Sequence, residues 1–120
     1  MRGIHYFIII FTMLLFGCES AQDKVVKNYC KSIESGKLDN AVSYLSKSAR
    51  QELEKSGGKP ALAAADIFKK RKGIKDIKIS QREVKGETTM IMFVYYFNDG
   101  STSSDFFPLI KEDGKWKISK

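Results

Sequence analysis

The sequence predicts an α+β domain in which N-terminal helices cover one face of an antiparallel sheet of about four strands. Two observations support this class. Through residue 72, apolar residues recur at the three- and four-residue spacing of amphipathic helices, and after it they alternate with polar residues as in strands. Glycine-containing turn sequences separate the strand segments, and a chain of 120 residues is expected to form one domain.

Helical segments are expected throughout the first half of the chain. Apolar residues at helical spacing define one helix over residues 25–33 and a second over residues 38–45. A weaker, polar segment follows over residues 48–55, with Ser48 as its expected N-cap because a glutamine stands three residues later. The last helix runs over residues 61–72, and a glycine ends it.

The second half has the period of strands. The first strand begins with the alternation at residues 77–79, and residues 88–97 form a second strand that is apolar on both faces and therefore central. Residues 102–111 form a third, in which Pro108 indicates an edge or a bulge because proline has no N–H to donate. Residues 116–118 close a short fourth strand. The two faces of the central strand are expected to carry Ile91, Phe93, Tyr95 and Phe97 on one side and Met90, Met92, Val94 and Tyr96 on the other.

The N-terminal segment has the pattern of a secretory signal peptide. Arg2 gives a positive start, residues 4–16 are mostly apolar, and Gly17 is the small residue that a signal peptidase requires at its cut. A helix of 13 such residues spans only about 20 Å, short of the roughly 30 Å of a bilayer core. A transmembrane helix is therefore the weaker interpretation.

Within this pattern, Leu15, Phe16, Gly17 and Cys18 resemble the lipobox of bacterial lipoproteins. The resemblance implies cleavage after Gly17 and thioether lipidation of Cys18, a covalent membrane anchor with two or three acyl chains. The alternative is an ordinary secreted protein in which Cys18 is incidental. The expected division of the chain is a signal peptide over residues 1–17, a lipidated tether over 18–23 and one domain over 24–120.

The expected location is the bacterial cell envelope. Glu19 after the cysteine resembles Gram-negative lipoproteins of the outer membrane, which would place the domain in the periplasm of such a host. The net charge of +7 falls to +6 once Arg2 is removed. A location in the cell envelope argues against nucleic acid as the partner of this basic domain and favours anionic lipid or an acidic partner protein. The densest basic run, residues 69–72, is interpreted as a helix end, with a binding patch as the alternative.

Cysteine and histidine usage exclude several kinds of site. The only histidine, His5, would leave with the signal peptide, and Cys30 would be the one free thiol. A mature chain without histidine cannot form histidine-dependent triads or histidine-ligated zinc sites. No catalytic residue, metal or cofactor is expected. Cys30 is interpreted as a packing residue, with a reactive or dimer-forming thiol as the alternative.

Two stretches resemble a known group of proteins. Residues 35–46, SGKLDNAVSYLS, and residues 108–119, PLIKEDGKWKIS, resemble small bacterial lipoproteins with a lumazine-binding-like domain of unknown function. That group belongs to the nuclear transport factor 2-like superfamily. The resemblance covers residues 24–120 and implies a curved sheet wrapped around a long helix to form a cone. Because the superfamily includes enzymes, ligand binders and dimerising modules, the resemblance fixes no activity.

A cone with an open end predicts a site for a small apolar or aromatic ligand. Its expected lining is Tyr44, Phe93, Tyr95, Phe107 and Trp116. The alternative is a filled core, with the protein acting through its surface. An apolar patch of Met90, Met92 and Val94 on the other sheet face would favour a protein partner or a homodimer. Enzyme activity is not favoured, because the candidate acids lie in turns or in an exposed strand: Asp99, Asp105, Glu112 and Asp113.

Overall fold

A computed structural model describes residues 20–120. The predicted signal peptide and the lipidation site at Cys18 lie outside these residues. Within them, helices precede strands as predicted, and the α+β class is confirmed. The elements are α1 Ala21–Glu34, α2 Leu38–Val42, α3 Lys47–Lys55, α4 Lys59–Lys70, β1 Ile74–Lys85, β2 Thr88–Phe97, β3 Thr102–Glu112 and β4 Lys115–Ile118.

The first helix begins earlier than predicted. Ser20 is its N-cap, and the Ser20 hydroxyl accepts a hydrogen bond from the backbone N–H of Asp23 at 3.1 Å. The segment expected to be a tether, residues 18–23, is therefore helical from Ala21 onward. A serine followed three residues later by an acid is a helix-start signal, and it lies inside the predicted tether.

The predicted N-cap at Ser48 is wrong. Ser46 caps α3, because its buried hydroxyl accepts from the backbone N–H of Ala49 at 3.2 Å. The main chain before α3 lies alongside β4, where Ile118 N–H donates to the carbonyl of Tyr44 and Ser46 N–H donates to the carbonyl of Ile118, both at 2.8 Å. These bonds hold Ser46 in the extended conformation that an N-cap requires, whereas Ser48 already lies in the helix.

The strands form one antiparallel meander in the order β1-β2-β3-β4. The helices cover one face of this sheet, the inner face, and the opposite side is the outer face. The predicted alternation in β2 is confirmed, because Ile91 and Phe93 are 0% exposed on the inner face while Met90 and Met92 are half-buried on the outer face. The core between helices and inner face includes Val26, Cys30, Ile33, Phe68, Ile91, Phe93, Tyr95, Phe97, Leu109 and Ile118.

The edge strand β1 departs from simple alternation. Its pairing with β2 shifts at Ser80, an extra residue after Ile79. Because of this bulge, Arg82 pairs with Ile91 and shares its inner face, although a period of two from Ile79 would place Arg82 on the outer face. Arg82 therefore reaches the first turn of α1.

Pro108 lies where β3 runs past the end of β4. In sheet order β3 has neighbours on both sides, yet β4 pairs only with residues 109–112. The Pro108 carbonyl accepts from the backbone N–H of Ser119 at 2.7 Å, just beyond β4. Pro108 pairs with Met90 without a bulge. Of the two predicted alternatives, an edge position and not a bulge therefore applies to this part of β3.

Candidate functional site

The two predicted pocket residues of β2 belong to the core. Phe93 is 0% exposed and Tyr95 is 6% exposed. The ring centroid of Phe68, from α4, lies 5.2 Å from that of Tyr95, and the Phe107 centroid lies 5.0 Å from that of Phe93. These rings cover the inner face at mid-sheet. The expectation that Phe93 and Tyr95 line an open pocket is corrected accordingly, because neighbouring aromatic rings fill the space.

The other three predicted residues are spread over separate grooves, and Trp116 lines two of them. Phe107 lines one groove together with Tyr29, and the two ring centroids are 5.6 Å apart in an edge-to-face arrangement. Tyr44 and Trp116 line another groove of about 460 Å³ beside the start of α1. The five predicted residues therefore do not converge on one site.

The groove that contains Tyr29 and Phe107, the Tyr29 groove, has a volume of about 620 Å³. Its walls come from α1, α3, the start of α4 and the sheet, and they are mostly apolar, with Glu52 and Lys55 as charged members. Sequence reasoning missed the contributions of Leu53 and Pro60, because they come from segments interpreted as a polar helix and a loop. Such a groove suits a small molecule with an apolar or aromatic body.

Cys30 and Tyr95 form a buried polar pair. The Cys30 Sγ and the Tyr95 hydroxyl oxygen are 3.4 Å apart, and either group can donate. Burial raises the pKa of the Cys30 thiol to about 12, and the hydrogen bond with Tyr95 offsets only part of this rise. Burial likewise raises the pKa of Tyr95, and negative charge on Cys30 raises it further. Both groups are neutral at physiological pH, which fits the packing role predicted for Cys30.

Two of the candidate acids, Glu112 and Asp99, stabilise a helix start and a turn respectively. The Glu112 carboxylate accepts from the backbone N–H of Lys47 at 3.0 Å. Hydrogen bonds from the Ser101 hydroxyl and backbone N–H lower the pKa of Asp99. Asp105 is exposed. In the described part of the chain, no three His, Cys, Asp or Glu side chains are placed to hold a metal ion.

The basic run at residues 69–72 forms the end of α4. Lys70 pairs with Asp66 one turn earlier, with 3.0 Å between the charged atoms. The Arg71 guanidinium lies 5.0 Å from the ring centroid of Phe97 and donates to the Ser101 hydroxyl at 3.2 Å. These local contacts fit the interpretation as a helix end.

The outer face of the sheet carries exposed apolar side chains. Phe106 of β3 is 55% exposed and pairs directly with Met92 of β2. Met90 and Val94 are half-buried on either side of Met92, and Tyr96 is exposed beyond them. We call these five residues the outer apolar strip. It includes the patch predicted from the sequence and extends it by Phe106 and Tyr96.

A family match covers most of the chain. The profile of the domain of unknown function DUF4878 matches residues 16–119. The protein belongs to this family. No protein of curated function matches the chain. Among residues 20–120, no helix is long and apolar enough to cross a bilayer.

Solved structures confirm the resemblance of the fold to the NTF2-like group. One is described as an NTF2-like transpeptidase from Campylobacter jejuni; it is 23% identical, with a TM-score of 0.71, over 84% of this chain and 99% of that one. A second is RPA3114 of Rhodopseudomonas palustris, a SEC-C motif containing protein. It is 14% identical, with a TM-score of 0.57, over 89% of this chain and 83% of that one. At these identities the similarity establishes the fold alone.

Proposed function

We propose that this protein is a lipid-anchored component of the bacterial cell envelope and acts there as a non-catalytic binding or interaction module. The lipobox-like residues ending at Cys18 support the anchor. The outer apolar strip is the observation that carries the interaction role, because soluble domains seldom leave contiguous apolar surface uncovered without a partner for it.

The composition of the strip favours a protein partner. Phe106 and Met92 lie at its centre as directly paired neighbours. Charged residues of β1 border it with both signs, since Glu83 pairs with Met90 and Lys78 pairs with Val94. An apolar centre with a mixed polar rim is the usual layout of a protein interface. The occupant is an envelope protein or a second copy of this chain.

The Tyr29 groove supports a second candidate function, the binding of a small molecule. Its volume of about 620 Å³ lies in the range of small-molecule sites, and Tyr29 and Phe107 offer aromatic surface to a ligand. An enzyme is less well supported, because the described residues bring no activated nucleophile or buried acid to this groove. The neutral, buried thiol of Cys30 cannot serve as a nucleophile at physiological pH.

The anchor is tested by Cys18→Ser in cells. The variant should leave the membrane fraction or accumulate as an unprocessed precursor, and mass spectrometry of the parent protein should find acyl chains on Cys18. A parent protein that is cleaved elsewhere and carries no acyl chain would refute the anchor.

The interaction role is tested by Met92→Glu, which places a carboxylate in the middle of the strip. Self-association in sedimentation or cross-linking to an envelope partner should be lost, while the melting temperature changes little because Met92 is half-buried on the outer face. Leu62→Glu is the matched control, since Leu62 is 61% exposed on α4, away from the strip. Equal effects of the two variants would contradict a specific interface.

The groove candidate is tested by native mass spectrometry of protein purified without added ligand. A bound small molecule should appear as extra mass and should be lost in Phe107→Ala. A reproducible apo mass would remove the support for this second function and leave the surface role.

A further inference from the structure

We propose that the domain lies on the membrane by one defined end, the end of the sheet that carries the β1–β2 and β3–β4 turns, and that phospholipid headgroups contact the groove between those turns. This orientation rests on the proposed lipidation of Cys18. It goes beyond the anchor itself, because it states which surface of the domain is occupied by lipid and which faces away.

The first argument is the length of chain between anchor and fold. Ser20 already caps α1 and stands only two residues after Cys18. Two residues reach at most about 7 Å. A lipidated Cys18 would therefore hold the start of α1 within about one headgroup layer of the acyl chains.

The second argument is that the start of α1 is fixed to the sheet. The Arg82 guanidinium donates to Asp23 Oδ1 at 2.6 Å, to Gln22 Oε1 at 2.9 Å and to Ser20 Oγ at 3.4 Å. An arginine contact shared among three residues restricts the first turn of the helix more than a single ion pair would. The anchor would therefore orient the whole domain, rather than a loose N-terminal arm.

The third argument is topological. In an antiparallel meander, the β1–β2 and β3–β4 turns share one end of the sheet and the β2–β3 turn occupies the other. The start of α1 lies at the first end, where Gln22 and Val84 line one groove. The other end of α1 lies by the β2–β3 end, where the Glu34 carboxylate accepts from the backbone N–H of Ile74. The helix of 14 residues separates these ends by about 20 Å.

The side chains at the anchored end suit a membrane interface. The groove there has a volume of about 670 Å³ and is lined by Val84, Ile110, Lys111 and Trp116 among others. Val84 is 72% exposed, and the Lys111 amino group lies 5.4 Å from the Trp116 ring centroid. Tryptophan and lysine with an apolar stem are residue types typical of the headgroup region.

Charge contributes little to this orientation. Near the two turns, Lys85, Lys111 and Lys115 are offset by the acids Glu83, Glu87, Glu112 and Asp113, so the net charge there is close to zero. The short tether and the apolar contacts of Val84 and Trp116 therefore determine the orientation, and high salt should not reverse it. The basic run at residues 69–72 lies by the opposite end, because Asp99 of the β2–β3 turn donates its N–H to the Arg71 carbonyl at 3.2 Å. That run faces away from the anchoring membrane.

Trp116 is the only tryptophan in the chain and serves as a built-in probe. The full lipidated protein is reconstituted into vesicles of phosphatidylethanolamine and phosphatidylglycerol that contain a headgroup nitroxide lipid. Trp116 emission should be largely quenched. The matched control is Trp116→Phe with Ile67→Trp, because Ile67 is 48% exposed near the far end of α4, and its emission should be retained.

A tether variant separates orientation from anchoring. Insertion of about ten Gly and Ser residues after Glu19 allows a reach of roughly 17 Å or more, so the protein should stay with the vesicles while Trp116 quenching is lost or much reduced. Quenching at position 67 equal to or stronger than that at Trp116 would overturn the orientation while the anchor stands. A protein that carries no acyl chain and does not float with the vesicles would overturn both, and the lipid mass on Cys18 identifies that case.

Discussion

The buried thiol of Cys30 should make the stability of the fold decrease at alkaline pH. Cys30 is 1% exposed, and burial raises its pKa from 9.0 in an unfolded chain to about 12 in the fold. A pKa raised by folding means that the folded state favours the protonated thiol. The contribution of the protonated Cys30 thiol to the free energy of unfolding is therefore fully present below about pH 9 and is lost as pH rises toward 12.

The size of this effect follows from the shift. Each pH unit between the two pKa values lowers the free energy of unfolding by about 1.4 kcal/mol, so the total loss is about 4 kcal/mol. About half of this loss occurs below about pH 10.5. Between about pH 9 and about pH 10.5, the expected loss is about 2 kcal/mol.

Urea unfolding at a series of pH values measures this loss, with Cys30→Ala as the control. All other titrating groups remain in Cys30→Ala, so the difference between the two curves isolates the thiol and its coupling to Tyr95. In a Cys18→Ser background Cys30 is the only thiol, and its alkylation in the native state should follow the unfolding equilibrium. A pH-independent difference together with rapid native alkylation would refute the argument, because it would mean that the thiol ionises as freely in the fold as outside it.

Three further predictions use the same urea assay. Phe93→Ala should lower the free energy of unfolding by about 3–5 kcal/mol, because Phe93 is 0% exposed and removal of its ring would create a cavity among the neighbouring aromatic rings. A loss below about 1 kcal/mol would contradict a filled core. Ser46→Ala should cost about 1 kcal/mol, since it leaves the N–H of Ala49 without its cap, whereas Ser48→Ala should cost almost nothing. Gly73→Ala should cost more than Gly86→Ala: both glycines have positive φ, but only at Gly73 would a Cβ meet Glu34 Oε2 and Asn98 Nδ2, both at 3.3 Å. Equal costs would show that these two side chains move aside freely.

The sequence predicts β2 and the order of elements well, because these depend on local periodicity. In β2 the inner residues Ile91 to Phe97 follow a strict period of two, and nothing interrupts it. The same rule fails in β1, where Ser80 adds one residue and the inner set continues with Arg82. A bulge depends on how a strand pairs with its neighbour, so the spacing of apolar residues along one strand does not reveal it.

The predicted site depends on contacts far apart in the chain, and there the sequence is less informative. Strand alternation correctly places Phe93 and Tyr95 on the inner face, but whether that face is open depends on Phe68, which comes from another helix. Likewise Ser46 is fixed as the cap by the hydrogen bonds that it and Tyr44 make with Ile118, more than half a chain away. The outer patch was easier to predict, because the alternation that buries one face of β2 also exposes the other.

Under the proposed lipid anchor, the irregular edge of β1 has a consequence for copies of the protein that share a membrane. Confinement to two dimensions raises the frequency of encounters, and a strand of 12 residues with one unpaired side is a template for edge-to-edge growth. In β1 the register shifts twice, once before Asp76 and once before Gln81, and the strand carries Lys75, Lys78 and Glu83 as exposed charges. A bent, charged edge aligns poorly with an identical strand, so crowded copies can use the outer face for contacts without polymerising through their sheets.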